Sequence, residues 1–345
     1  MGHRGSVGSG LLAPKRSHAC REVADRALRR RNGRVERQGQ ISALAAVLAA
    51  AVLFGTTGTA QALGPDGMSP LGVGAVRVSI GALGLLAAIR ISGGSIVESI
   101  VGSIVGRRNH RFPIAIAGLG VAGYQIGFFV ATERAGVALG TLVALGSGPA
   151  FAGLYQAART RRPPSVGWSV ATSLAAAGAG LVAFGRQGGT ADDLGVGLAA
   201  ALLAGLSYAV FSIAGKRAMD SGMASLPVMA ASFTVGSVLL APLLVTQPMS
   251  WLSTGRGLAV ALHLGLAATA LAYALFGFGL ARLTVPTVVT VTLFEPATAA
   301  LLSVVALSEP LDVIGWLGVV LVMAGVALVA LLPVSGEPLA EVLAE

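Results

Sequence analysis

The sequence has little charge. Lys, Arg, Asp and Glu make up 11% of its 345 residues, under half of the roughly 25% usual in a soluble domain. That excludes an ordinary soluble enzyme of this length. Aromatic residues are scarce, at 5%, and Cys20 is the single cysteine, so no intramolecular disulfide can form. No Walker A sequence is present, and with it goes any sign of ATP driving. Metal-ligand spacing of His and Cys, HExxH and a nucleophile elbow are all absent, as are the paired intramembrane carboxylates of an aspartyl protease. The chain therefore reads as a non-enzyme, with no cofactor or metal expected.

Apolar sequence fills the space that charge leaves. Hydrophobic residues make up 54% of the chain, and mean hydropathy is +0.80. Apolar runs of about 20 residues, long enough to cross the hydrocarbon of a bilayer, recur along almost the whole chain. A transmembrane β-barrel would instead alternate in short strands. The 48 glycines suit helices that approach closely in lipid, where apolar burial does not drive association. Ten spans are predicted, at roughly 41–63, 69–89, 112–132, 136–158, 166–185, 194–215, 224–246, 257–280, 284–306 and 311–333. Ala60-Gln61-Ala62 resembles a signal-peptide cleavage site, but the apolar stretch before it is too long for one.

Two stretches share a plan. In each, an apolar run carries a proline near its middle, Pro149 or Pro296, and a Gly-Trp pair opens the next run, Gly167-Trp168 or Gly315-Trp316. Proline and tryptophan stand 19 residues apart in one copy and 20 in the other. A duplicated apolar unit points to two halves around a central site. Five spans per unit is an odd number, so the halves have inverted topology. The expected fold class is an all-α integral membrane protein of ten transmembrane helices, arranged as two inverted five-helix repeats.

Charge sets the orientation. With the N-terminus inside, cytoplasmic segments hold 20 Lys/Arg and external ones three, Arg134, Arg186 and Arg256. Residues 1–40 form a basic tail, expected to be disordered and cytoplasmic. Residues 41–185 are the first repeat, 186–193 an external linker, 194–333 the second repeat, and 334–345 a short cytoplasmic tail. The cluster Arg29-Arg30-Arg31 fits an anchor near anionic lipid, and no nucleic-acid partner is expected. Within the internal loop 91–111, the stripe Ile96-Val97, Ile100-Val101 and Ile104-Val105 predicts a short amphipathic helix on the inner face.

Two charged side chains fall inside spans. Glu295 lies near the middle of the ninth, where a carboxylate is costly unless paired, hydrated or protonated. It reads either as a proton-coupling or substrate site, or as a carboxylate bonded across the break that Pro296 makes. Arg77 lies in the second span and reads as a ligand for a substrate carboxylate, as a partner of Glu295, or as a side chain that snorkels to the interface. Tyr124 and Gln125 on the third span, Tyr208 on the sixth and Tyr273 on the eighth are further binding candidates. Thr56, Thr57, Thr59, Ser212 and His263 are weaker ones, since Ser and Thr often bond back to helix carbonyls. Pro149 and Pro296 are candidate kinks.

Certain of these residues carry a family resemblance: Phe54-Gly55, Arg77, Leu293-Phe294-Glu295-Pro296, Glu309, Ile314-Gly315 and Gly325. Over residues 41–333 the chain resembles EamA-type carriers of the drug/metabolite transporter superfamily. The resemblance implies a ten-span secondary carrier, and an exporter of amino acids or other small metabolites. The first half departs from the pattern, with Gly148-Pro149 where the second has Glu295-Pro296. The resulting expectation is a multi-pass plasma (inner) membrane exporter working by alternating access, driven by protons, with both termini cytoplasmic. Its partners would be a small metabolite and the bilayer, and a homodimer is left open. A competing reading is a non-transporting scaffold or sensor that binds through its basic tail.

Overall fold

The structure, a computed structural model, describes residues 15–96, 108–184, 193–308 and 310–332, and all regular structure among them is helical. In chain order the main helices are α1 (Lys15–Ala62), α2 (Pro70–Ile91), α3 (Arg108–Arg134), α4 (Val137–Thr160) and α5 (Val166–Phe184). They continue with α6 (Leu194–Asp220), α7 (Ser225–Thr246), α8 (Gly255–Arg282), α9 (Val285–Ala306) and α10 (Val313–Leu331). Among the described residues, nine helical segments are long and apolar enough to cross a membrane, beginning with Arg37–Ala62 of α1. The remaining long helix, α4, runs for 24 residues. Each expected span thus coincides with a helix.

Residues 15–40 differ from expectation. They are helix, continuous with the first span, where the sequence predicts a disordered tail. Arg, Ala and Glu make up half of this stretch, and all three favour helix. Chain contacts cluster into two units that divide at Ser42. Most of the expected amphipathic stripe, with Arg107, lies outside the described residues. So do residues 186–192 of the linker, Glu309 and the C-terminal tail.

Helix ends are set by local chemistry. Ser69 caps α2, with Pro70 at the first helical position, and accepts from the Gly72 amide at 3.0 Å. Asp312 does the same for α10, accepting from the Gly315 amide at 2.7 Å. Arg161 ends α4 in a left-handed conformation (φ 55°), just before Pro163-Pro164.

Small residues bring backbones together. A Cβ on Gly178 of α5 would lie 2.6 Å from the Gly318 carbonyl oxygen of α10, and one on Gly318 would lie 2.6 Å from that of Gly178. Gly120 of α3 similarly abuts the Ser207 carbonyl of α6. Such approaches suit lipid, where packing and weak Cα–H···O contacts hold helices together. The prominent helix pairings are α3 with α6, α5 with α10, α4 with α6 and α2 with α7. α2 also packs on α8, and α3 on α7.

Two helices are irregular in mid-span. In α8, residues His263–Leu271 form a π-helix, and the Thr269 hydroxyl donates to the Leu264 carbonyl at 2.7 Å. α9 breaks between Val291 and Phe294. Pro296 has no N–H to offer the Thr292 carbonyl, which accepts instead from the Glu295 amide at 3.0 Å, one residue short of the α-helical partner. The Leu293 amide donates to the Thr290 carbonyl in the same tight way, at 3.0 Å. Side chains three apart align in such a turn, so Thr292 and Glu295 face one way. Pro149, by contrast, lies inside an unbroken α4.

Candidate functional site

A cavity of about 370 Å³ opens within the helices, and both Thr292 and Glu295 line it. Its wall collects all six side chains that sequence reading singles out for binding: Arg77, Tyr124, Gln125, Tyr208, Tyr273 and Glu295. Pro296 lines it too, whereas Pro149 does not. A smaller space, about 10 Å³ and large enough for one water, adjoins it behind Arg77, Gln125 and the three tyrosines.

Arg77 turns inward, so the snorkelling alternative does not hold. Its Nε is buried without a hydrogen-bond partner. The Glu295 carboxylate also makes no hydrogen bond with a described residue, and the only ion pair among described residues joins Lys216 to Asp220 at 3.3 Å. Arg77 and Glu295 thus share a cavity without direct pairing. The reading of Glu295 as bonded across the helix break finds no such bond.

Aromatic rings form one side of the site. Tyr273 packs on Phe233 with centroids 4.3 Å apart and on Phe54 at 4.9 Å, and Tyr124 meets Tyr208 at 5.8 Å. The three phenols differ in state. Tyr208 Oη bonds Thr292 Oγ1 at 2.9 Å, tying α6 to the break in α9. Tyr124 and Tyr273 hydroxyls have no such partner among the described residues. A second hydroxyl pair, Thr172 with Thr290 at 2.9 Å, holds the break from α5. Gly55 allows α1 to touch α9 here, because a Cβ would meet the Glu295 carbonyl at 2.8 Å.

The weaker candidates divide. Thr57 lines the cavity. Thr56 donates back to the Leu53 carbonyl at 2.7 Å and bonds His263 at 2.8 Å, which makes that histidine a link between α1 and α8. Ser212 donates back to the Tyr208 carbonyl at 2.9 Å. Sequence reading missed Gln61, Phe128, Phe129, Thr132, Thr141 and Thr292, all of which line the cavity. Phe128 was within reach, since it follows Tyr124 by four residues and so shares its helix face.

The lining runs from these mid-span groups to Gln61, Pro70, Thr132, Thr141 and Ala183. Those residues sit at the α1–α2 turn, the α3–α4 turn and the end of α5, all on one side of the helices. Among the described residues, none that lines the cavity comes from the opposite ends.

Comparison with known proteins agrees with this architecture. Residues 195–331 match the EamA-like transporter family. The chain is 38% identical over 288 residues to "Uncharacterized transporter YwfM" of Bacillus subtilis (strain 168), an alignment that covers 83% of this chain and 93% of that protein. A solved crystal structure, 20% identical, superposes with a TM-score of 0.69 over 85% of this chain and 97% of its own, and so shares the fold. The chain is a membrane transporter and belongs to the EamA-like transporter family.

Proposed function

We propose that the protein is a secondary exporter of small amphipathic metabolites, amino acids foremost, and that it works by alternating access across the plasma membrane. The observation that carries this reading is a mid-span cavity holding one unpaired guanidinium and one unpaired carboxylate beside aromatic rings. Arg77 would bind a substrate carboxylate through its fork of donors. Glu295 would meet a substrate ammonium or a proton, and the rings would cover an apolar side chain. About 370 Å³ is ample for an amino acid.

Protons are the proposed driving ion, because Glu295 is the one carboxylate among the described residues that line the cavity. The proposed topology places both termini in the cytoplasm, following the basic-residue bias. The cavity then faces outward. Helix pairings support two inverted halves: α3 with α6 has its counterpart in α8 with α1, where Gly279 abuts the Ala43 carbonyl, and α2 with α8 has its counterpart in α7 with α3. Membership of a transporter family favours transport over a non-transporting scaffold.

The test is a resistance screen. A sensitised bacterium expressing the protein is challenged with toxic amino acids and analogues, with Glu295→Gln and Arg77→Ala in parallel. Resistance to one compound class, lost in both variants at normal expression, is the expected result. Resistance that survives in both would remove these residues from the site.

A further inference from the structure

The cavity is one-sided, and at the opposite side a charged side chain joins two helices. Lys216 of α6 donates through Nζ to the Ala281 carbonyl, in the last turn of α8, at 3.0 Å. The same ammonium lies 3.3 Å from the Asp220 carboxylate, one turn further along α6. The Lys216 side chain is only 22% exposed. Its neighbour Arg217 stands over the Tyr155 ring of α4, 5.3 Å from the centroid. The end of α8 thus receives a cation where helix carbonyls lack amide partners and the dipole favours positive charge.

The internal repeat explains why this contact matters. Phe54 of α1 meets Tyr273 of α8 at 4.9 Å as Tyr208 of α6 meets Tyr124 of α3 at 5.8 Å, so Phe54 corresponds to Tyr208 and Tyr124 to Tyr273. In that register Ala62 is the counterpart of Lys216, Gln61 of Gly215 and Thr132 of Ala281. Gln61 and Thr132 line the open cavity. Of their counterparts at the other side, Gly215 is buried. Equivalent pairs of helix ends are therefore parted by a cavity at one side and bridged by a lysine at the other. Ala62 at the open side has no side chain that could make such a bridge.

We propose that Lys216 is the latch of the inner gate. Its bond to the Ala281 carbonyl holds α6 against α8 while the cavity faces out, and the ammonium must leave that carbonyl for an inward path to open. Asp220 keeps the ammonium paired when the helix ends separate, so opening does not strand a charge. Arg217 on Tyr155 braces α4 against the same end of α6. The inference rests on the alternating-access reading above, but its test reads conformation and not transport.

Because Cys20 is the only cysteine, a Cys20→Ser protein supplies a clean background for two reporters, read one at a time. Ala214→Cys reads the closed side and Thr57→Cys the open cavity, each by its rate of modification with a small maleimide in purified protein. Adding Lys216→Met should speed labelling at position 214 and slow it at position 57, each by about tenfold, the scale of a lost hydrogen bond from a charged donor. Lys216→Arg restores a donor and should label like the parent. Should Lys216→Met not fold, Lys216→Gln removes the ammonium, keeps a polar group and is read in the same way. Unchanged rates, or a rise at both reporters together, would overturn the latch. The reciprocal shift supports the latch even where no amino acid is transported, and its absence overturns the latch even where transport is normal.

Discussion

Arg77 of α2 and Glu295 of α9 line one cavity, yet no ion pair joins them. A direct pair would cancel both charges and leave nothing to recognise a polar substrate. Held apart, each remains open to a group of opposite charge, at a depth where an unmatched charge is expensive.

Arg77 is expected to govern affinity. Replacing it with Ala removes a charge-assisted contact, which predicts a rise in substrate KM of about 10- to 100-fold. Arg77→Lys keeps the charge but loses the planar fork, so it should fall between the two proteins. Initial rates in proteoliposomes measure both. Equal KM in all three would remove Arg77 from the substrate.

Glu295 is expected to govern coupling. Glu295→Gln keeps the shape and cannot take up a proton from an ionised state. Accumulation driven by a pH gradient should be lost, while exchange of labelled for unlabelled substrate should persist. Gradient-driven accumulation at the parent rate would assign coupling elsewhere.

The Tyr208–Thr292 bond is expected to stabilise the broken helix. Tyr208→Phe and Thr292→Val should each lower stability by about 1 kcal/mol, and the double variant should cost little more than either single one. Thermal unfolding in detergent reads the cycle. Fully additive losses would mean that the hydroxyls act independently.

The fold was largely legible because its governing pattern is long and simple. Apolar runs with polar breaks located the membrane spans to within a few residues, although α1 begins well before its span, and the membrane leaves the backbone little choice but helix. The lining of the candidate site was legible in kind, since Arg77 and Glu295 stand out as charges in apolar runs, and the tyrosines as polar aromatics. Thr292, Thr132 and Thr141 were not, because a threonine facing a cavity and one bonded to its own helix look alike in sequence. The π-helix of α8 and the Tyr208–Thr292 bond were hidden too, since both depend on partners distant in the chain. Lys216 read only as an inner-side charge, and its partner is a backbone carbonyl, which leaves no mark on sequence.

Gly178 and Gly318 are expected to tolerate no side chain. Each would drive a Cβ to 2.6 Å from the other helix's carbonyl oxygen, so Gly178→Ala or Gly318→Ala should cost about 1–3 kcal/mol by overpacking. Melting of the purified protein measures this. A melting temperature unchanged in both would show that α5 and α10 are not held at this distance.

Counterflow in proteoliposomes tests the central claim most directly. Liposomes preloaded with one unlabelled amino acid at a time, across a full panel, are diluted into its labelled form. The account predicts protein-dependent uptake of at least one amino acid, weakened in Arg77→Ala. No uptake of any amino acid by correctly inserted protein would contradict it, as would uptake that Arg77→Ala leaves untouched.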